Sequence, residues 1–298
     1  MGCETDDEPV LQGYDRINGL PGDYQVVRCR SCGLLRTDPR PTADTIGFYY
    51  PDDYPPYLAT RISPASRRSG LKEGLRKLLD TRAQAIPALT PGRMLEIGCA
   101  SGSYLHRMSS QGWDVTGIEF SPQAAEMARR NGYNVYTGAL ESVDLQQAGF
   151  DLLVGWMVLE HLHDPVASLR KLYEWAKPGA WLVVSVPNID SLEFRLFKQR
   201  WHALQLPSHL YHYTPRTIGP MLEKTGWHLH TIHHQRVLSS LFASLGHLLD
   251  EKGYPGLRRW VVGEPGDRIR MHQLFYPLAL LVAAAGQSGR MTVWARKQ

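Results

Sequence analysis

The sequence predicts an α/β fold: a Rossmann-like sheet of seven mostly parallel strands with helices on both faces. Three observations predict it. From residue 94 to residue 235, short apolar runs alternate with stretches of helical spacing. The first run (Met94, Leu95, Ile97) passes through the turn Gly98-Cys99-Ala100-Ser101-Gly102 into Tyr104, Leu105 and Met108, which fall at helical spacing. A second run over 113–118 ends in an acid, Glu119.

A strand that turns through glycines into a helix presents unpaired backbone N–H groups and a positive dipole end to a ligand. Gly98 and Gly102 let the backbone approach that ligand without a Cβ in the way. Glu119 stands where an acid accepts from two ribose hydroxyls. A dinucleotide fingerprint would read G-x-G-x-x-G, but position 100 is alanine and position 103 serine. The chain instead reads E-x-G-x-x-x-G from Glu96 to Gly102, which resembles motif I of the class I S-adenosylmethionine (SAM) methyltransferases. A carboxylate beside the loop suits a ligand with an ammonium and a sulfonium and repels a pyrophosphate. The resemblance implies SAM as cofactor and S-adenosylhomocysteine as product. It assigns Glu96, Gly98, Ala100, Gly102, Tyr104, Glu119 and Phe120 to the cofactor.

Composition narrows the class. The chain has 298 residues, 43% of them apolar, and a formal net charge of only +4. That suffices for a sizeable core and argues against nucleic acid as a partner. The acidic, polar start carries no signal-peptide pattern. The longest apolar run, 274–285, is shorter than the roughly twenty residues of a spanning helix. The expectation is a cytoplasmic protein without a transmembrane segment.

Three units are expected: 1–60, 61–235 and 236–298. In the first, a strand over 24–27, the turn Cys29-Arg30-Ser31-Cys32-Gly33 and a return strand over 34–35 read as a small zinc-ribbon-like knuckle. Methyltransferases of surface-glycan and natural-product clusters look similar here, with two C-x-x-C pairs and a P-R-P continuation, matched by Asp38-Pro39-Arg40-Pro41. Only Cys3 of the first pair is present, so Cys3, Cys29 and Cys32 are candidate ligands for one structural zinc, one short of four. A metal-free hairpin is the alternative. A short helix capped by Thr42 follows over 42–50, then a rigid Pro-Pro-Tyr loop over 51–57 and a helix through Leu71, Leu75, Leu78 and Leu79.

The core is expected to run strand 94–98, helix 102–111, strand 113–118, a helix capped by Ser121-Pro122, strand 134–136 and strand 150–155. Ala139 and Leu140 lie in the loop the family sets beside adenine, and Trp156 and Met157 follow the fourth strand. Val158-Leu159-Glu160-His161-Leu162-His163-Asp164-Pro165 resembles the V-L-E-H-x-x-D-P segment of small-molecule methyltransferases, including the ubiquinone O-methyltransferase type. It stands at the carboxyl end of the sheet, where open α/β folds bind ligands. His161 is a candidate base, since an imidazole can take a hydroxyl proton near neutral pH. Glu160 and His161 could equally fix the loop by hydrogen bonds.

A helix over 165–176 and a strand over 180–186 lead to 199–214, an aperiodic stretch rich in Trp, His and Tyr, read as a substrate lid. Pro207 to Pro215 resembles the P-x-H-L-x-x-F-T-P segment of the same family, with Tyr213 in place of Phe. His209 is the second candidate base, and Trp201, Tyr211 and His212 are candidate substrate contacts. A Thr214-Pro215 helix, a strand over 227–234 and a last strand over 290–296, antiparallel to it, complete the sheet. Between them, the apolar segments 237–249 and 274–285 read as extra helices around a polar linker. They could close the substrate pocket, form a homodimer interface or touch a membrane surface.

The expected function is SAM-dependent methyl transfer to a small-molecule or sugar acceptor, at a hydroxyl oxygen. The alternatives are an N- or C-methyltransferase of a natural-product intermediate, a nicotinamide-dependent oxidoreductase and a non-catalytic SAM-binding scaffold.

Overall fold

The computed structural model describes residues 6–50, 81–145, 149–263 and 273–298. Cys3, the Pro-Pro-Tyr loop over 51–57 and the helix through Leu71 to Leu79 lie outside the described residues. Seven strands form the central sheet: β4 (Arg93–Ile97), β5 (Asp114–Glu119), β6 (Asn134–Thr137), β7 (Phe150–Trp156), β8 (Ala176–Pro187), β10 (Trp227–His234) and β11 (Arg290–Lys297). Their order is β10-β11-β8-β7-β4-β5-β6. β8-β7-β4-β5-β6 are parallel neighbours, and β11 lies antiparallel between β8 and β10. Leu95, Leu152, Leu153 and Val154 are wholly buried, as expected of parallel strands covered on both faces.

The crossover helices begin where the sequence places caps. Ser121 accepts from the Ala124 N–H at the start of α2 (Pro122–Arg130). Asp164 accepts from Val166 and Ala167 at α3 (Pro165–Trp175), and Thr214 forms a capping box with Thr217 at α5 (Pro215–Lys224). The glycine turn leads into α1 (Ser103–Ser109), with Gly102 as its N-cap at φ +85. Strand β8 begins at Ala176, so Lys177-Pro178-Gly179 lies inside the strand rather than before it.

The amino-terminal unit is larger than the expected hairpin. Strands β1 (Asp7–Gly13), β2 (Tyr24–Cys29) and β3 (Leu35–Asp38) form an antiparallel sheet whose fourth strand, β9 (Tyr211–His212), comes from beyond the core. The Cys29–Gly33 turn is closed by backbone bonds: Gly33 N–H to the Cys29 carbonyl (2.8 Å) and Cys29 N–H to the Leu34 carbonyl (3.0 Å). Among the described residues, no third metal-ligating side chain joins Cys29 and Cys32. The helix expected over 42–50 is a single 3-10 turn, Ile46–Tyr49. Thr42 and Thr45 satisfy one another's hydroxyls instead of capping a longer helix.

The stretch read as a lid is a fixed wall. Trp201, Leu206, His209, Leu210 and Tyr213 are all at most 3% exposed. Leu210 N–H donates to the Glu160 carbonyl (2.8 Å), Thr37 N–H to the Leu210 carbonyl (3.1 Å) and Ile189 N–H to the Tyr213 carbonyl (3.0 Å). With its backbone spent on three neighbours, the segment resists opening. Beyond β10, α6 (Ser239–Glu251) and α8 (Tyr276–Ala284) occupy the two apolar segments, and a further helix, α7 (Pro255–Val262), forms in the expected linker. Gly246 admits α7 closely: a Cβ there would lie 2.6 Å from Val262 Cγ2. No helix among the described residues is long and apolar enough to cross a membrane.

Trp227 opens β10 fully buried and donates its indole N–H to the Leu169 carbonyl of α3 (2.9 Å). Trp227→Phe removes that bond and leaves a void, and is expected to cost about 2 kcal/mol in urea unfolding. An unchanged midpoint would show that this helix–sheet contact contributes little.

Candidate active site

A cavity of about 410 Å³ opens at the carboxyl ends of β4, β5 and β7. On one side lie the glycine turn (Gly98, Ala100) with Glu119 and Phe120, and the loop residues Ala139 and Leu140. Trp156 and Met157 form its middle, and His161 and His209 the far side. Turn geometry is demanding here. Gly98 has φ +69, and a Cβ on it would lie 2.6 Å from Val158 Cγ2, so only glycine lets the β4 and β7 loops close on each other. Ala100 (φ +47) and Met157 (φ +59) hold left-handed backbones without being glycine. Met157 N–H donates to both the carbonyl (2.9 Å) and the hydroxyl (3.2 Å) of Ser185, which hold that conformation.

Glu119 is 4% exposed. One carboxylate oxygen accepts from Ala100 N–H and the other from Ser121 N–H, both at 2.8 Å. The carboxylate thereby ties the β5 end to the glycine turn. Each oxygen keeps a second lone pair for a ligand hydroxyl. Burial pushes its pKa up and the backbone donors pull it back.

Three residues expected at the cofactor do not line the cavity. Glu96 is buried beneath the turn and accepts from the Leu105 N–H in the first turn of α1, a structural cap. Gly102 faces α2, where a Cβ would press on Ala128 and Tyr133 at 3.2 Å. Tyr104 packs on Trp156 with ring centroids 5.1 Å apart, behind the wall rather than on it.

Three expected substrate contacts are likewise elsewhere. Trp201 is in the core of the amino-terminal unit and donates to Glu193 (3.2 Å). Tyr211 bonds Arg40 (2.5 Å) and the His163 carbonyl (3.3 Å), and the ring of His212 meets the Thr37 hydroxyl (3.1 Å). Tyr211 and His212 are held in β9, which pairs with β3 of the small sheet.

The two candidate bases come together across 48 residues of sequence, with ring centroids 4.6 Å apart and planes at 82°. His161 Nδ1 lies 2.9 Å from the Ser208 carbonyl, and His209 Nδ1 lies 2.9 Å from the Ala203 carbonyl. A carbonyl only accepts, so each Nδ1 carries the proton and each Nε2 keeps its lone pair. Desolvation lowers the His161 pKa to about 4 and holds that of His209 well below the ordinary imidazole value. Both rings are therefore neutral at pH 7. Tyr50 also sits 2.7 Å from His161 Nδ1 through its hydroxyl; since that nitrogen is the donor, the phenol proton is left to point elsewhere. Tyr50 spans the cavity, its ring 5.8 Å from His161 and 6.4 Å from Phe120.

Beneath them Glu160 is completely buried, and neither carboxyl oxygen has a hydrogen-bond partner. Burial raises its pKa to about 8. Glu160, His161 and His209 offer ligand atoms within 4.8 Å of one another, the one group among the described residues spaced to hold a cation. Tyr50, Gln205 and Arg290 also line the cavity. Nothing in their local sequence marks them, because they arrive from the amino-terminal unit, the wall segment and the last strand.

The protonation states carry a pH signature. Glu160 has its folded pKa above the ordinary 4.5, so stability falls as pH rises from 4.5 toward 8, where only the unfolded chain ionises. His161 has its folded pKa below 6.5, so its contribution rises with pH between 4 and 6.5. Above pH 6.5 the Glu160 effect adds to that of the other buried carboxyl raised well above its ordinary value, Glu96. Thermal unfolding of Glu160→Gln should therefore show a shallower decline in stability between pH 6.5 and 8 than the wild type; an equally steep decline in the variant would show that Glu160 is ionised in the folded chain.

A family profile described as a methyltransferase domain matches residues 67–232. Among curated proteins, the chain is similar to the ubiquinone biosynthesis O-methyltransferases of Nitrosospira multiformis and Bordetella avium. The first is 28% identical over 146 residues, which is 45% of this chain and 61% of the relative. The second is 32% identical over 109 residues, 34% of this chain and 45% of the relative. The chain thus spans about half the length of the curated relatives it matches. Among solved structures it is similar to magnesium protoporphyrin IX methyltransferase from Synechocystis with bound S-adenosylhomocysteine (SAH). That likeness has a TM-score of 0.51 at 13% identity, covers 85% of this chain and 97% of that one, and is one of fold. A profile covering more than half of the chain, over a seven-stranded sheet with the motif I turn at its centre, places it by descent: the chain belongs to the SAM-dependent methyltransferases of Rossmann-like fold.

Proposed function

We propose that the chain transfers the SAM methyl group to a hydroxyl oxygen of a small molecule or sugar. The observation that carries this reading is the pair of neutral imidazoles on the cavity wall, each with Nδ1 held by a carbonyl and Nε2 left as a base. An amine acceptor needs no such base once deprotonated; a hydroxyl does.

The cavity fits the cofactor. The remaining lone pairs of Glu119 would accept from the ribose hydroxyls, Ala139 and Leu140 would flank the adenine, and the backbone at Gly98 and Ala100 would take the amino-acid end. When bound, SAM supplies a methyl group on a positively charged sulfur. The chain's own work is to hold the acceptor oxygen in line with that methyl, exclude water and accept the hydroxyl proton at an Nε2. Having pKa values well below 6.5, these imidazoles stay unprotonated in mildly acidic solution, so the transfer rate is expected to hold as pH falls from 7 to 5.5.

The acceptor class is read by giving methyl-labelled SAM and the purified chain to fractions of the source cell's extract. Label in a base-stable small-molecule or sugar fraction supports O-transfer; label only in amines or at carbon overturns it. With the acceptor in hand, His161→Ala and His209→Ala should between them remove about 10²–10⁴-fold of turnover while SAH affinity stays within about twofold. Full rate in both variants sinks the base assignment. Glu119→Ala should weaken SAH binding by calorimetry about tenfold or more, since two ribose bonds and the tether to the turn are lost together. Unchanged affinity removes Glu119 from the cofactor.

A further inference from the structure

Arg290 is the first residue of β11, next to β8 at Pro187, and its side chain reaches the cavity wall. Across the sheet, β11 lies three neighbours from β4: β4, β7, β8, β11. At about 4.8 Å per strand, this puts Arg290 roughly 14 Å from the glycine turn, beyond the reach expected of the cofactor's own carboxylate. Among the described residues the guanidinium makes no ion pair, and its buried Nε has no hydrogen-bond partner.

The nearest acids, Glu193 and Glu160, favour its charged form from a distance, but neither forms an ion pair with it. Glu193 accepts instead from the Trp201 indole N–H and the Gly289 N–H. The side chain is half-buried at the cavity, and the planar fork of donors of a guanidinium fits carboxylate or phosphate oxygens.

We propose that Arg290 is an acceptor-recognition residue: the methyl acceptor carries an anionic group, a carboxylate or a phosphate, that pairs with this guanidinium at the end of the cavity remote from the glycine turn. This rests on the methyl-transfer reading above for the word acceptor, and on the cavity alone for the anion. The reacting hydroxyl would sit between, at the His161–His209 pair, so the acceptor holds its anion several ångströms from the oxygen that is methylated. A neutral acceptor would leave the guanidinium without an ion pair.

The test uses the full chain saturated with SAH, at fixed ionic strength, with sodium chloride replaced in part by sodium benzoate or sodium phosphate. Thermal unfolding is read for the wild type, Arg290→Gln and Arg290→Lys. The wild type should gain about 2 °C or more in at least one of the two anions over chloride. Arg290→Gln should gain nothing and should not unfold markedly below the wild type in chloride. Arg290→Lys should keep part of the gain.

A response to benzoate alone assigns a carboxylate, and a response to phosphate alone a phosphate. Equal stability of the wild type in all three salts overturns the proposal without recourse to any variant. An undiminished gain in Arg290→Gln overturns it as well. So does a marked loss of stability of that variant in chloride, since Arg290 would then be the structural counter-ion of Glu193 and Glu160. Calorimetry of SAH binding, run in parallel, separates the two readings: lost SAH binding in the wild type strikes the methyl-transfer reading, and a missing anion response strikes this one.

Discussion

Two backbone carbonyls organise the chemistry of this protein. By accepting from Nδ1 of His209 and His161, the carbonyls of Ala203 and Ser208 select one tautomer of each ring and aim the other nitrogen away. They can do so only because 199–214 is fixed. Its backbone bonds the Glu160 loop on one side and β3 of the small sheet on another, and it contributes β9 to that sheet. The amino-terminal unit is therefore a buttress as well as an appendage: Thr37 binds the His209 carbonyl through its hydroxyl (2.6 Å) and meets His212 besides. Position of the two imidazoles and attachment of the small sheet are one constraint.

Electrostatics then follow from dryness. The cavity wall gathers two imidazoles, a buried carboxyl and a guanidinium with few polar neighbours to solvate them. In such surroundings each group shifts toward its neutral form unless it is paired. The two histidines are neutral in consequence, and each keeps a lone pair on Nε2. Arg290 cannot follow at neutral pH, and it keeps its charge at the cavity wall, favoured by Glu193 and Glu160. The two sides of the cavity thus differ in kind: the glycine-turn side has backbone groups and one tethered carboxylate, and the histidine side has side chains from four separate segments.

What the residues reveal on their own is what is local. The glycine turn, the acid at the end of β5, the Ser-Pro and Thr-Pro caps and the apolar runs are each encoded within a few positions, and all appear where expected. The exceptions are instructive. Glu96, Gly102 and Tyr104 belong to the motif yet serve its underside: Glu96 caps the helix from within β4, Gly102 packs toward α2, and Tyr104 turns inward from the first turn of α1. Trp201, Tyr211 and His212 sit in an aromatic-rich stretch that reads as a mobile substrate cover. In the fold the same composition packs as interior, because a small sheet offers it a face to bury against.

The sequence by itself determined the sheet, the cofactor turn and the two histidines, because strand and helix periodicity, glycine geometry and caps are properties of neighbouring residues. Only the tertiary structure decided which atoms those histidines present, that Glu160 lies beneath them without a partner, and that Tyr50 and Arg290 share their cavity. Those facts depend on segments 111 and 129 residues away from His161. No local pattern records such a meeting, since it is the burial of distant apolar faces that brings the polar groups between them together.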